Sequence, residues 1–360
     1  MTDGRTSLCP LPPAQWPAAD QEAWAQAFRP GDPFAPGGGA ADWRPASRAL
    51  VARAYGTWLA WLAAEGLLDD GPPMARVSRR RIKAFVEAMQ ARWRSATVSL
   101  TFDGLLRAFQ AMAPEADLAW LHRILSHLRS LRFDRKPKLP RLRPAKELYD
   151  LGLRLMTEAA DDRPVSSLWT ATLYRDGLMI AFLASRPLRV GTFAVLDLDR
   201  HIRREGDTYW LMIPPHITKT ATALEMPLPS ALTPYLERYL ETYWPRLVRP
   251  QSPARLWLNR HGGALDPRDI RARISRLTRV AFGKSVNPHL FRDCAATSIA
   301  VEDPDHVRTA AVLLGHRRLA TTERHYNQAR SLAASRRYQQ AIRGRRGPAR
   351  TASRRRDGES

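Results

Sequence analysis

The residues of this chain best suited to chemistry are a tyrosine and the basic and imidazole side chains that precede it. Tyr326 lies ten residues after His316, and both follow a Pro-His-Leu-Phe-Arg segment at 288–292. A phenol, with an ordinary pKa of about 10, is a poor nucleophile at neutral pH unless positive charge and proton acceptors surround it. Guanidiniums stay protonated and can hold phosphate oxygens through paired hydrogen bonds. The pattern therefore indicates attack of a tyrosine on a phosphodiester. The candidate catalytic residues are Arg189, Lys219, His289, Arg292, His316 and Tyr326.

Turns and helix ends are predicted to position these side chains. Asn287 suits a helix N-cap and Pro288 suits the first helical turn, which places His289 and Arg292 on one helical face. Unpaired amides and the helix dipole favour an anion at such an N-terminus. Both side chains are therefore expected to reach one phosphate.

The other candidates are predicted to follow helices or to lie in a turn. Pro187 should end a hydrophobic helix, which exposes the following turn and makes Arg189 a better candidate than Arg186. Lys219 lies in a Thr-Lys-Thr turn between apolar runs, and His316 follows a glycine that suits a helix C-terminal cap. Taken alone, each residue also has an ordinary structural interpretation, such as a surface ion pair, a solvated turn or a core tyrosine.

Hydrophobic periodicity predicts a mainly helical protein with one small antiparallel β-sheet. A length of 360 residues suits two domains. Expected helices lie near 47–66, 78–91, 96–111, 115–131, 146–160 and 166–185, and expected strands near 201–204, 208–213 and 224–228. The predicted divisions are a loosely ordered lead-in at 1–42, a helical domain at 43–133, a basic Pro-rich linker at 134–146, a second domain at 147–343 and a disordered basic tail at 344–360.

Charge and composition limit the classes of function. The chain has 57 Lys and Arg against 35 Asp and Glu, a net charge of +22, which favours a polyanion such as nucleic acid as partner. The basic linker is expected to follow a phosphate backbone. Two cysteines are too few for a disulfide framework and fit a reducing cytosol. No membrane segment, metal-ligand spacing or Gly-rich phosphate loop occurs, so a cytoplasmic protein without metal or nucleotide cofactor is expected.

In order and spacing, the candidate residues resemble the tyrosine recombinase family, the site-specific recombinases of phage integrase type. The resemblance covers residues from about 43 to 343. It rests on the Pro-Leu-Arg-Val turn at 187–190, the hairpin lysine, the His-x-x-Arg helix, the Leu-Gly-His motif at 314–316 and the final tyrosine. Three positions depart from the family pattern. Thr192 stands where many members carry Glu, Asp293 stands where His is frequent, and Tyr326 lies one residue later than the commonest spacing.

The resemblance implies a helical, SAM-like core-binding domain followed by an α+β catalytic domain. It implies an enzyme, independent of metal and ATP, that cleaves and rejoins double-stranded DNA through a 3′-phosphotyrosyl intermediate in integration, excision or resolution. It assigns the general acid to Lys219, assistance in proton transfer to His289, phosphate binding to His316 and nucleophilic attack to Tyr326. It further implies a tetrameric synapse on DNA and accessory directionality factors.

Two other classes of function stay open at this point. A type IB topoisomerase-like enzyme would use similar phosphotyrosine chemistry to relax supercoils without joining two sites. A non-catalytic DNA-binding or architectural protein would bind DNA with an inactive site. Defined recombination products would separate a recombinase from both.

Overall fold

The computed structural model describes residues 8–34, 36–131, 138–161 and 167–302. The chain divides between residues 136 and 137 into two compact units. His316, Tyr326 and the predicted tail at 344–360 lie outside the described residues. In the described part of the chain, no helix is both long enough and apolar enough to cross a membrane.

The first unit is helical, and its core is rich in aromatic side chains. Trp58 is fully buried and stacks on Trp61 at 5.2 Å between ring centroids. Gly104 allows two helices to approach closely, because a Cβ there would lie 2.7 Å from the Cβ of Ala54. In its described residues the unit contains α1 (Ala18–Ala27), α2 (Pro45–Ala64), α3 (Arg79–Gln90), α4 (Ser95–Met112) and α5 (Ala119–Ser130), with 3-10 helices at Pro13–Gln15 and Pro73–Arg76.

The segment before α2 is part of this core, and the prediction of a loosely ordered lead-in at 1–42 is wrong for its described residues. Trp16 and Trp24 are 3% and 5% exposed and meet edge to face. The carboxylate of Asp20, on α1, is fully buried and accepts hydrogen bonds from Tyr55 and Arg76. The many Pro, Gly and Ala residues predicted little order, but the segment contains a short helix, and the aromatic side chains of the segment complete the core.

The second unit combines helices with a small sheet, as the hydrophobic pattern predicted. A π-helical turn at Tyr239–Tyr243 joins two of its helices, and 3-10 helices lie at Leu139–Arg141 and Ser230–Leu232. Its described helices are α6 (Ala145–Asp161), α7 (Leu168–Ser185), α8 (Val190–Ala194), α9 (Leu198–His201), α10 (Thr233–Arg238), α11 (Trp244–Leu247), α12 (Pro267–Phe282) and α13 (Pro288–Glu302). Its strands are β1 (Ile202–Glu205), β2 (Thr208–Ile213) and β3 (Leu224–Pro227).

The three strands form an antiparallel sheet in the order β1-β2-β3. Arg203 pairs with Trp210 across the first ladder, and Leu211 pairs with Met226 across the second. The sheet confirms the predicted mainly helical fold with a small antiparallel sheet. The connection from β2 to β3, residues 214–223, carries the hairpin lysine.

Helix α7 is the buried centre of the second unit. It packs against α6 where Gly152 faces Gly177, and a Cβ on Gly152 would lie 2.6 Å from the carbonyl oxygen of Gly177. The helix ends at Ser185, just before Pro187, as the missing proline amide requires. The turn that contains Arg189 therefore follows directly after the end of a rigid, fully packed helix.

Side chains in the described part of the basic linker make contacts within the second unit, and the expectation that the linker follows a phosphate backbone stays a prediction. Lys138 forms an ion pair with Asp293 at 2.7 Å. Arg141 donates to the carbonyl oxygen of Ser285 at 2.9 Å, and Arg143 lies over the ring of Phe282. The basic composition of the segment therefore reflects, at these positions, contacts within the second unit.

Candidate active site

The start of α13 presents two of the predicted catalytic residues. The side-chain oxygen of Asn287 accepts hydrogen bonds from the amides of His289 and Leu290, at 3.1 and 3.2 Å. Pro288 occupies the first helical position, where a missing amide costs no hydrogen bond. The predicted N-cap is therefore confirmed, and it places His289 and Arg292 in the first turns of the helix.

Arg292 fixes α13 to the turn that contains Arg189. It is 7% exposed, and its guanidinium donates to the carbonyl oxygen of Pro187 at 2.6 Å. Arg189 is half-buried and directly precedes α8, whose first turn it joins through a 2.9 Å bond from the amide of Phe193 to its carbonyl oxygen. Segments about a hundred residues apart in sequence thus bring two guanidiniums into one site.

The electrostatics of this pair favour an anion. Burial lowers the pKa of Arg292 to about 10, the charge of Arg189 lowers it as well, and Asp293 opposes both effects. Arg292 stays protonated at neutral pH, so the lowered pKa reflects the free-energy cost of holding one cation beside another away from water. A bound phosphate would remove that cost, since two guanidiniums can each donate to its oxygens.

Arg186, the competing candidate, has a different role. Its guanidinium donates to the carbonyl oxygens of Pro227 and Ser185, at 2.9 and 3.0 Å. These bonds tie the end of α7 to the end of β3. In contrast, no hydrogen bond or ion pair of the Arg189 side chain occurs within the described residues, and neither Asp197 nor Asp199 pairs with it there. The geometry supports the choice of Arg189 that the position of Pro187 predicted.

Lys219 is exposed on the β2–β3 connection, in a loop that is internally braced. Thr218, only 1% exposed, donates to the carbonyl oxygen of Thr222 at 2.8 Å and accepts from its amide at 3.0 Å. Ala221 adopts a φ of 51°, a conformation that residues with a Cβ rarely take. Two partly buried hydrogen bonds between Thr218 and Thr222 thus hold the backbone around the lysine in a tight turn.

A threonine connects the lysine loop to the helix that follows Arg189. Thr192, on α8, is 6% exposed and donates to the carbonyl oxygen of Ile217 at 3.4 Å. Thr192 is one of the positions at which the chain departs from the family pattern. Its hydroxyl is a short link between the arginine turn and the lysine loop, and sequence reasoning did not assign it a role.

The surroundings of His289 keep its imidazole unprotonated, the state in which it can accept a proton. Its pKa lies below the ordinary 6.5, first because the surrounding protein removes part of its hydration and then because Lys138, Arg292 and Arg271 are positive, whereas Asp293 opposes the shift. The imidazole is therefore neutral at pH 7. Sequence reasoning missed Lys138 and Arg271, which come from the linker and from α12 and share no local motif with His289.

The structure thus brings Arg292 close to both Arg189 and His289, and Thr192 of α8 contacts the loop that carries Lys219. The positions of His316 and Tyr326 lie outside the described residues. Within the described ranges, no cluster of three or more His, Cys, Asp or Glu side chains could hold a metal ion.

Comparison with known proteins places the chain in a family. The sequence model of the phage integrase family matches residues 154–332. The tyrosine recombinase XerC of Methylobacterium nodulans is 30% identical over 269 residues, which cover 74% of this chain and 77% of the relative. The tyrosine recombinase XerD of Staphylococcus epidermidis is 27% identical over 151 residues, 42% of this chain and 49% of the relative.

The fold is also similar to that of solved recombinase structures. The crystal structure of XerH site-specific recombinase bound to palindromic difH substrate, a post-cleavage complex, gives a TM-score of 0.56 over 79% of each chain at 17% identity. The pre-cleavage complex of XerH with difH substrate gives a TM-score of 0.54 over 81% of this chain and 78% of XerH, also at 17% identity. At that identity the likeness concerns the fold alone, whereas the XerC match extends over most of both sequences. The chain belongs to the phage integrase family of tyrosine recombinases.

Proposed function

We propose that this chain is a site-specific recombinase that cleaves and rejoins double-stranded DNA through a 3′-phosphotyrosyl intermediate. The observation that carries the proposal is the convergence of Arg189 and Arg292 at the N-terminus of α13, where burial and like charge favour a phosphate. The proposed catalytic residues are Arg189, Lys219, His289, Arg292, His316 and Tyr326.

Cleavage begins with attack of the Tyr326 hydroxyl oxygen on the scissile phosphorus. Arg189 and Arg292 hold the nonbridging oxygens, whose negative charge grows in the pentavalent transition state. His289, neutral at pH 7, accepts the phenolic proton, and His316 donates a further hydrogen bond to the phosphate. Lys219 gives a proton to the departing 5′ oxygen, so the bond from phosphorus to that oxygen breaks as the bond to tyrosine forms.

Rejoining reverses these steps. The 5′ hydroxyl of a second strand attacks the phosphotyrosine, Tyr326 leaves with the proton returned by His289, and Lys219 takes up the proton of the attacking hydroxyl. One phosphodiester replaces another at each stage, so bond energy is retained and no nucleotide hydrolysis is needed. A tetramer that holds two DNA sites would provide the second strand, and accessory directionality factors would select integration or excision.

A covalent trapping experiment tests the proposal. A nicked suicide substrate is drawn from DNA that flanks the gene. After cleavage, the short fragment that carries the freed 5′ hydroxyl dissociates, so the strand cannot be rejoined and the phosphotyrosine is trapped. We expect the purified full chain to form an adduct and the Tyr326→Phe variant to form none, because phenylalanine has no hydroxyl. The adduct is measured as a slower band on a denaturing gel, and its peptide is identified by mass spectrometry.

Tyr338→Phe is the matched control, since it removes the hydroxyl of another tyrosine, which lies later in the sequence. It should form the adduct at the rate of the unmodified protein. An adduct that persists in Tyr326→Phe would remove that residue from its role. DNA binding without any adduct, in the unmodified chain, would instead favour a non-catalytic architectural protein.

A further inference from the structure

The described part of the linker, residues 138–145, lies along α13 and the loop before it. These contacts bring linker residues to the helix that carries His289 and Arg292, within the second unit itself. Four hydrogen bonds join residues 138–145 to α13 and the loop before it, namely Lys138 Nζ to Asp293 Oδ2 at 2.7 Å, Arg141 Nε to Ser285 O at 2.9 Å, Arg143 N to Cys294 Sγ at 3.4 Å and Ala145 N to Ser298 Oγ at 2.9 Å.

Asp293 is the contact closest to the chemistry. It follows Arg292 directly and lies one helical turn after His289, so its carboxylate and the imidazole are neighbours on the helix. Its side chain is only 9% exposed, and a carboxylate so far from water requires a cation or hydrogen-bond donors. Lys138, whose own side chain is 53% exposed, supplies a cation from the linker.

The charges around His289 come from three elements. Asp293 and Arg292 lie on α13 itself, Lys138 lies on the linker, and Arg271 lies on α12. Asp293 is the negative member of this group, and it favours the protonated imidazole, whereas the three cations favour the neutral one. The ion pair therefore combines a residue that lowers the pKa of His289, Lys138, with one that raises it, Asp293.

We propose that Lys138 and Asp293 form a positioning pair for DNA cleavage, in which the linker holds α13 and balances the charge around His289 during proton transfer. The proposal rests on the function proposed above. In the proposed mechanism neither residue bonds to the phosphate, and both act through His289. The departure of Asp293 from the histidine frequent in the family thereby has a physical account, because a buried carboxylate at this position is matched by a lysine of the linker.

The two charges of the pair predict opposite effects on the pH dependence of cleavage. Cleavage needs neutral His289, so its rate falls as the pH falls through the pKa of the imidazole. Lys138→Met removes a positive charge, which raises that pKa and moves the acid limb to higher pH. Asp293→Asn removes a negative charge, which lowers the pKa and moves the limb to lower pH. The double variant should return near the unmodified profile.

The test measures single-turnover cleavage of the nicked suicide substrate between pH 5 and 8, with the full chain and each variant. On the acid limb, we expect Lys138→Met to be slower and Asp293→Asn faster than the unmodified protein, each by about two- to fivefold, the range of a partly exposed ion pair. Lys146→Met is the matched control, since Lys146 forms an exposed 2.7 Å ion pair with Asp150 on α6. Its profile should coincide with that of the unmodified protein.

The outcomes separate this inference from the proposed function. Cleavage by the unmodified chain, with limbs that shift in the same direction or not at all in the two variants, overturns the positioning pair and leaves the recombinase proposal intact. Failure of the unmodified chain to cleave any substrate overturns both. If Asp293→Asn does not fold, Lys138→Met decides alone: an upward shift of its limb supports the pair, and an unchanged limb overturns it.

Discussion

Arg76 in the first unit and Arg292, one of the two buried arginines in the described part of the second unit, lie in opposite electrostatic surroundings. Arg76 is fully buried, and its guanidinium bonds to the carboxylate of Asp20 and to the carbonyl oxygens of Asp69 and Gly71. Burial alone would lower its pKa, but the hydrogen bond and charge of Asp20 outweigh that effect and raise it. Arg76 is an arginine whose counterion belongs to the same fold.

Arg292, in the second unit, lies beside a like charge. Its pKa is lowered to about 10 by burial and by the neighbouring cation Arg189. A neighbouring carboxylate or a neighbouring cation thus distinguishes a structural arginine from one that binds a ligand. A buried guanidinium paired with a carboxylate of the same protein stabilises the fold. Two guanidiniums held together away from water instead favour the binding of an anion from solution.

Tyrosines follow the same distinction. The Tyr55 hydroxyl donates to Asp20, and its pKa is raised well above 10, chiefly by burial and then by that carboxylate. A phenol in these surroundings resists ionisation and is a poor nucleophile. In the proposed mechanism Tyr326 needs the reverse, namely cations and a proton acceptor, which Arg189, Arg292 and neutral His289 would supply.

The largest expected effect is the loss of stability on removal of Arg76. Arg76→Met leaves the Asp20 carboxylate buried without its cation, which should reduce the free energy of unfolding by about 3–5 kcal/mol. Arg292→Met should cost much less, because it relieves the repulsion with Arg189. Denaturant unfolding followed by tryptophan fluorescence measures the first unit preferentially, since seven of the 11 tryptophans precede residue 137.

A double variant sharpens this test. Asp20→Asn combined with Arg76→Met removes both charges, so it should recover part of the stability lost in Arg76→Met. If Arg292→Met destabilised the protein as strongly as Arg76→Met, the contrast between the two arginines would disappear.

The next effect concerns cleavage. Arg292→Gln removes a charged donor to the scissile phosphate, and we expect the rate of adduct formation to fall by about 10²–10³-fold. The rate is measured in single turnover on the nicked suicide substrate. Arg186→Gln is the control, because Arg186 bonds to backbone carbonyls of its own unit. A larger loss of cleavage in Arg186→Gln than in Arg292→Gln would contradict the assignment.

Local features of the sequence predicted much of the fold and part of the site. Some features depend only on residues close together in the chain and could be predicted from the sequence, namely the N-cap at Asn287, the end of α7 before Pro187 and the β1–β2 hairpin. Contacts between residues distant in the chain could not be predicted. The ion pair of Lys138 with Asp293 spans 155 residues, and no periodicity or motif marks it.

The N-terminal segment also depends on contacts between distant residues, which its sequence alone did not predict. Its proline and glycine content predicted little order, yet Asp20 bonds to Arg76 across 56 residues, and Trp16 and Trp24 are part of the core. Composition describes what a segment would do alone, whereas its structure here depends on the surface against which it packs. The link from Thr192 to Ile217 was missed for that reason as well, since it depends on how α8 meets the lysine loop.

The smallest expected effect tests directly whether the two arginines hold an affinity for an outside anion. Sulfate is a dianion with the same tetrahedral shape as the scissile phosphate group. It should bind between Arg189 and Arg292 and relieve their repulsion. At a concentration tenfold above its Kd, it should stabilise the protein by about 1.4 kcal/mol, or roughly 3–5 °C in the unfolding temperature of the second unit. Arg189→Gln should lose this gain. Arg204→Gln, which removes an exposed arginine paired with Glu237, should keep it.

The design separates specific binding from general effects of salt. Sodium chloride at matched ionic strength controls for screening, and the difference between the Arg189 and Arg204 variants controls for the general stabilisation by sulfate and for other basic surfaces of a chain with a net charge of +22. Arg76→Met should show the same sulfate gain in the second unit as the unmodified protein, because its anion is internal. An equal gain in Arg189→Gln would mean that the anion binds elsewhere, and the proximity of the two guanidiniums would then need another explanation.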